Sequence, residues 1–230
     1  PARYTPYTQD KCAESNKTWW FNSDYALGFV AGWGVHPLDI ALWGCPSLAS
    51  GLLEVQGMGA FPTEGACNTS IAWSVNFRCA DGVTMAFKGS PNGYDRITPM
   101  NDLTAWAKRY GRNTGHGTAF EGTEGWVMVD RSGIRTYPED LVEATFETAE
   151  VQLIQSSNHV RNLLDAVRSR ETTVCSIDTA VQADILCHLS DLATRLERKL
   201  TWDTRKEKFV KDRDANKRLD LRKMRKPWRL

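Results

Sequence analysis

At 230 residues the chain is long enough to bury a sizeable core and falls within the range of one large domain or two small ones; we read one. A formal charge of +1, from 29 Lys and Arg against 28 Asp and Glu, excludes the strongly basic balance of a nucleic-acid-binding domain. No apolar run approaches the roughly 18 residues of a membrane span, so neither nucleic acid nor membrane is expected as a partner.

Residues 1–31 read as an irregular arm rich in Tyr, Asn, Lys and Trp, which leads into a short helix. The helix is marked within Gly32-Trp33-Gly34-Val35-His36-Pro37-Leu38-Asp39-Ile40-Ala41-Leu42-Trp43-Gly44. Pro37 suits its first position, where a missing N–H is not needed, and Gly44 followed by Pro46 marks its stop. His36 is then expected among unsatisfied backbone N–H groups, where the positive end of the helix dipole disfavours imidazolium and keeps a neutral ring able to donate or accept a proton. Asp39 lies three residues on, on the same face, and either holds His36 in one tautomer or complements the helix N-terminus. Of nine tryptophans, Trp19, Trp20, Trp33, Trp43 and Trp73 fall in the half that carries His36. Aromatic faces of this kind serve as platforms for sugar rings or as core. Trp33 and Trp20, with Asp39, are the substrate-lining candidates because of their closeness to His36 in sequence or on its helix.

Residues 51–137 change character. Leu52 to Gln56, Ile71 to Arg78 and Val83 to Phe87 alternate or run apolar at strand length, and Ala80-Asp81-Gly82 is a hairpin signal. A second group of strands is expected at Thr118 to Gly122, Trp126 to Asp130 and Ile134 to Tyr137, with turns at Gly122-Thr123-Glu124-Gly125 and Arg131-Ser132-Gly133. Together they predict one sizeable, mostly antiparallel sheet. Residues 89–93 and 111–117 look like long loops, the usual carriers of variable function.

Two helices follow. Val160, Leu163, Leu164 and Val167 recur at helical spacing behind Ser157 or Asn158 as N-cap. Val181, Ile185, Leu189, Leu192 and Leu196 make a longer stripe opened by Ser176, with Asp178 in its first turn. Such stripes pack on a sheet, which predicts an α+β fold, a large open-faced antiparallel sheet with helices on one face. The uncovered face then calls for a partner, most simply a second subunit. From Lys199 to Leu230 the chain is a charged, basic arm studded with Trp202, Phe209, Met224 and Trp228, which points to docking rather than free solvation. The six cysteines show no metal-type spacing, and His159 and His188 have no metal-spaced partners. Buried free thiols are the default reading, with disulfides open to an exported protein, so the compartment stays undetermined.

The Gly32-to-Gly44 segment, the Phe120-to-Ile134 hairpin, the His159-Val160-Arg161-Asn162-Leu163-Leu164-Asp165-Ala166-Val167 helix and the closing Pro227-Trp228-Arg229-Leu230 together resemble the C-terminal domain of the Gfo/Idh/MocA oxidoreductases, in a bacterial-type branch. The resemblance spans nearly the whole chain. It implies the open-faced sheet of a dihydrodipicolinate-reductase-like C-terminal domain over residues 1–230, supplying substrate contacts and an oligomer interface in a dimer or tetramer. It also implies that NAD or NADP is bound mainly by an N-terminal Rossmann domain. That domain is not recognisable here: no G-x-G-x-x-G follows a strand, and the Glu-Lys-Pro of relatives does not occur. The chain, which starts at Pro1, is therefore expected to be a portion of a longer enzyme and inactive alone.

His36 resembles the histidine of the family's D-x-x-x-H motif, a proton acceptor or hydroxyl-orienting group in the oxidation of a sugar or polyol carbon. The motif's acid is missing, since Gly32 stands four residues before His36. The resemblance thus implies an NAD(P)-dependent oxidoreductase acting on a carbohydrate or polyol. Two alternatives stay open: a redox-neutral, NAD-dependent glycoside-cleaving enzyme of the same family, and a non-catalytic sugar-binding or assembly domain.

Overall fold

The structure, a computed structural model, describes residues 19–63, 67–89, 103–144, 154–219 and 226–227. They divide into two compact units. One holds the described parts of Pro1–Gly28, Pro46–Asn101 and Leu189–Leu230; the other holds those of Phe29–Cys45 and Asp102–His188.

The first unit is built on a five-stranded antiparallel sheet in the order β3-β2-β1-β7-β8. Its strands are β1 (Leu52–Ala60), β2 (Ala72–Cys79), β3 (Thr84–Gly89), β7 (Leu200–Asp203) and β8 (Lys208–Phe209). Alternation along these strands sends Leu53, Val55, Trp73, Val75, Phe77, Phe87, Leu200, Trp202 and Phe209 to a buried face. Their register stacks them, with Val55 opposite both Phe77 and Leu200, and Val75 opposite Phe87. Each large side chain fully removed from water contributes roughly 1.5–3 kcal/mol, so this face anchors the unit. The expected β2–β3 hairpin forms: Gly82 takes φ +93°, and Asp81 Oδ1 accepts from the Val83 N–H at 3.0 Å. Part of the basic C-terminal segment is integral to the sheet. β7 pairs with β1, Trp202 packs on Phe209 at 5.0 Å between ring centroids, and Asn216 of α6 (Arg213–Lys217) bonds both the N–H and the C=O of Phe209. Met224 and Trp228 lie outside the described residues. The stretch at Phe21 is also tied down, because the Phe21 carbonyl accepts from the N–H groups of Asn68 and Thr69.

The second unit carries α1 (Phe29–Gly32), α2 (Val35–Gly44), α3 (Leu103–Tyr110), α4 (His159–Ser169), the first half of α5 (Ile177–Leu196), and β4 (Thr118–Glu121), β5 (Trp126–Asp130) and β6 (Gly133–Tyr137). The three strands form an antiparallel sheet of their own in the order β4-β5-β6. The α+β character and antiparallel pairing are as expected, but the ladders fall into two sheets rather than one. Strand patterns specify which face is buried, not which edge pairs with which.

Two helical stripes differ from expectation. On α4, capped by Asn158 Oδ1 accepting from Arg161 N–H at 2.8 Å, Val160, Leu163, Leu164 and Val167 are 67, 54, 49 and 55% exposed. The stripe is helical but, among the described residues, does not pack on a sheet. On α5 the Ser176 hydroxyl accepts from the Thr179 N–H as a cap should, yet the buried residues are Ala183, Leu186, Cys187, Leu189, Ser190, Asp191, Ala193 and Thr194. Of the five residues expected inward, only Leu189 is fully buried, and Val181 is 45% exposed. Small residues stand where β1 comes close: a Cβ added to Gly59 would lie 3.0 Å from Thr194 Cβ. Among the described residues no disulfide joins Cys45, Cys67, Cys79, Cys175 and Cys187 to one another.

Candidate functional site

The site belongs to the second unit and begins at the junction of α1 and α2. α2 runs Val35–Gly44, so Pro37 is its third residue rather than its first. Because α1 precedes it directly, two early N–H groups are already used: Gly34 N–H donates to Phe29 O at 3.0 Å and His36 N–H to Trp33 O at 3.2 Å. The free, fully unsatisfied helix end expected around His36 is therefore partly occupied by the preceding turn. Gly32, in the position of the missing acid, closes α1.

α2 is held against β4. Thr118 Oγ1 donates to Pro37 O at 2.7 Å, and Gly44 lies so close to Phe120 that an added Cβ would come within 2.3 Å of its ring. Gly44 is thus still helical, with Cys45 as the cap, and its lack of a side chain serves the packing of Phe120 rather than a left-handed turn. This contact brings the start of β4, and His116 just before it, to His36.

Three rings meet there. Trp33 lies 5.7 Å from His36 in an edge-on arrangement and 5.9 Å from His116, and the two imidazoles are 6.1 Å apart, centroid to centroid. Trp33 is 46% exposed and His36 is exposed, so the cluster faces solvent. Arg131, on the β5–β6 turn, sets its guanidinium 5.5 Å from the centre of the Trp33 ring. The neighbouring carboxylate is committed elsewhere: Asp130 accepts from Arg112 at 2.5 Å and from the Ser132 N–H at 2.7 Å. Burial works against its charge, but these bonds hold it below the usual carboxylate range. His116 is pushed below the ordinary imidazole value by burial first, then by Arg131 and His36, against a smaller opposing pull from Asp130.

Asp39 sits one turn along α2 from His36. Its Oδ1 is buried without a hydrogen-bond partner among the described residues, and burial raises its pKa, opposed by the charge of His36. Trp20 belongs to the first unit, where it packs on Phe21 with ring centroids 5.4 Å apart. Of the four residues expected at the site, the second unit brings together His36, Trp33 and Asp39. His116 and Arg131 were not foreseen. The glycine-flanked 111–117 loop and the 131–133 turn marked where such residues could lie, but nothing in the sequence joined them to His36.

Among the described residues no group of three His, Cys, Asp or Glu side chains is placed to hold a metal ion. Every strand pairing among them is antiparallel. A dinucleotide-binding Rossmann unit requires parallel βαβ crossovers, and the described residues contain no such unit.

A family model described as the oxidoreductase family, C-terminal alpha/beta domain, of the Gfo/Idh/MocA type, matches residues 111–230, just over half of the chain. His116 and Arg131 lie inside that stretch and His36 precedes it. No curated protein matches by sequence. Solved structures share the fold at low identity. The aldose-aldose oxidoreductase from Caulobacter crescentus, solved with glycerol, is 12% identical over 80% of this chain and 51% of its own, with a TM-score of 0.53. An oxidoreductase domain protein from Kribbella flavida is 14% identical over 79% and 52%, with a TM-score of 0.51. The WlbA dehydrogenase from Bordetella pertussis, solved with NADH and UDP-GlcNAcA, is 11% identical over 85% and 50%, with a TM-score of 0.50. The chain spans about half the length of these proteins.

Proposed function

Because the chain belongs to the Gfo/Idh/MocA family of oxidoreductases, whose C-terminal α/β domain it matches, we propose that residues 1–230 supply the substrate contacts and the assembly surface of an NAD- or NADP-dependent enzyme that oxidises a hydroxyl of a sugar or polyol. The observation that carries this reading is the solvent-facing cluster of Trp33, His36 and His116. An indole face suits the CH-rich face of a sugar ring, and an imidazole beside it is within reach of a ring hydroxyl. The dinucleotide, when bound by a domain outside these residues, supplies the hydride acceptor.

The chain's own part is proton handling and placement. His36 accepts the hydroxyl proton as the carbon is oxidised, or returns it in reduction. Asp39 keeps a carboxyl within electrostatic reach of that ring, in place of the family acid that Gly32 replaces. His116 donates or accepts a hydrogen bond at a neighbouring hydroxyl. Trp20 is proposed as a further substrate contact on the evidence of its sequence neighbourhood alone. The uncovered face of the five-stranded sheet is proposed to receive a second copy, giving a dimer or tetramer.

The test is a screen of sugars and polyols with NAD and NADP, followed by nicotinamide absorbance, in the protein carrying its dinucleotide-binding portion. His36→Ala is expected to lower turnover by roughly two to four orders of magnitude while leaving cofactor affinity unchanged. Equal turnover in the variant would remove His36 from the chemistry. A second reading is a redox-neutral cleavage in which the cofactor is reduced and reoxidised within one cycle. Release of aglycone without net reduced cofactor would support it. Ligand binding without any turnover would leave a sugar-binding or assembly domain.

A further inference from the structure

Within the same cluster, Arg131 is a cation that the proposed chemistry does not use. Its guanidinium rests on Trp33, the ring that also touches His36 and His116. Among the described residues it makes no ion pair: Asp130, beside it in sequence, is spent on Arg112 and the Ser132 N–H. The other carboxyl near the cluster, Asp39, is half-buried on α2 and faces His36 electrostatically. The charges around Trp33 therefore leave one guanidinium unbalanced at the edge of a ring platform, with two imidazoles as additional N–H donors. A guanidinium presents a planar set of donors that matches the two oxygens of a carboxylate or phosphate, and stacking on an indole pre-orients it.

We infer that this site selects an anionic sugar, one bearing a carboxylate or a phosphate, with Trp33 under the sugar ring and Arg131 opposite the anionic group. The inference rests on the sugar-site reading above and narrows it. Arg131 here is a specificity-determining contact and takes no part in proton transfer. It lies on the two-residue turn between β5 and β6, which Ser132 N–H to Asp130 Oδ1 holds in shape, so its backbone is fixed while its side chain reaches the ring.

Calorimetric titration of the protein carrying its dinucleotide-binding portion with glucose, glucuronate, glucose 6-phosphate and inorganic phosphate, at matched ionic strength, tests this. At least one of the two anionic sugars is expected to bind about tenfold or more tighter than glucose, with free phosphate weaker than either. The glucuronate and glucose 6-phosphate arms tell a carboxylate ligand from a phosphate one. Arg131→Gln should bring the anionic sugars to the affinity that the same variant shows for glucose, and Arg131→Lys should keep part of the difference. Equal binding of neutral and anionic sugars would overturn the inference and leave the sugar site standing. A difference that survives Arg131→Gln, or that free phosphate reproduces in full, would overturn it as well. Binding of none of the three sugars would overturn both the inference and the sugar-site reading.

Discussion

Asp39 and His116 are perturbed in opposite directions, and the consequences for stability have opposite signs. Burial raises the Asp39 carboxyl above its ordinary value of 3.8. Below that value the group is protonated in folded and unfolded chains alike. As pH climbs through the raised folded value, the unfolded chain has already lost its proton, and stability falls to a lower plateau. Asp39→Asn is therefore expected to melt slightly higher than the parent at pH 7, by at most about 1 kcal/mol because the carboxyl is only partly desolvated, and to match it at strongly acid pH. A helix-capping role predicts the reverse, a loss at pH 7, so paired melting curves decide between them. Burial lowers His116 below its ordinary value of 6.5, with Arg131 adding to the effect. Its neutral form is favoured in the fold, so stability is complete above 6.5 and is lost as pH falls towards the depressed folded value. His116→Asn should flatten that acid limb of the stability profile. His36→Asn, tested beside it, reports whether the flattening belongs to His116 or to the cluster at large.

At the scale of elements, the position of α2 on β4 determines whether the site exists, and Gly44 against Phe120 is its tightest point. Gly44→Ala gains about 1 kcal/mol in helix propensity but drives a methyl into the Phe120 ring, for a net loss of about 1–2 kcal/mol. In a Phe120→Leu background the same change should be neutral or stabilising, and denaturant melts of the four proteins measure the coupling. Much at this scale was readable from the chain. Strands β1 to β3, the Ala80–Gly82 turn and the caps at Asn158 and Ser176 stand where local pattern placed them, because each depends on neighbours within a few residues. The pairing of β7 with β1 was not readable, since charged residues around Trp202 and Phe209 masked a two-sided strand as an arm. Nor was the burial of α5: its packed side is marked by Ala183, Ser190, Ala193 and Thr194, which periodicity of large apolar residues passes over. His36 was legible as a helix-start histidine, whereas His116 and Arg131 reach it only through the Thr118 to Pro37 bond and the β5–β6 turn, contacts between distant segments that no local rule contains.

For the whole molecule, the outer face of the five-stranded sheet is the feature that asks for a partner. Leu52 is 47% exposed and Met58 58%, and beside them run Gln56, Asn76, Arg78, Thr84 and Ala86 with the Glu54–Lys199 ion pair at 2.9 Å. The face is broad and mixed in polarity, which suits a second copy laid across it by a two-fold axis. A stable pairing needs about 1,200–2,000 Å² of total buried surface, which a five-stranded face can provide. The exposed stripe of α4, with Leu163 at its centre, is the competing surface. Light scattering at micromolar concentration is expected to give a dimer or tetramer for the parent chain. Met58→Lys should shift it towards monomer without lowering the melting temperature, because Met58 points away from the buried side of its own sheet. If Met58→Lys keeps the oligomer while Leu163→Lys dissolves it, the sheet face is not the contact and α4 is. A monomer in the parent chain would leave both surfaces free for a domain outside these residues.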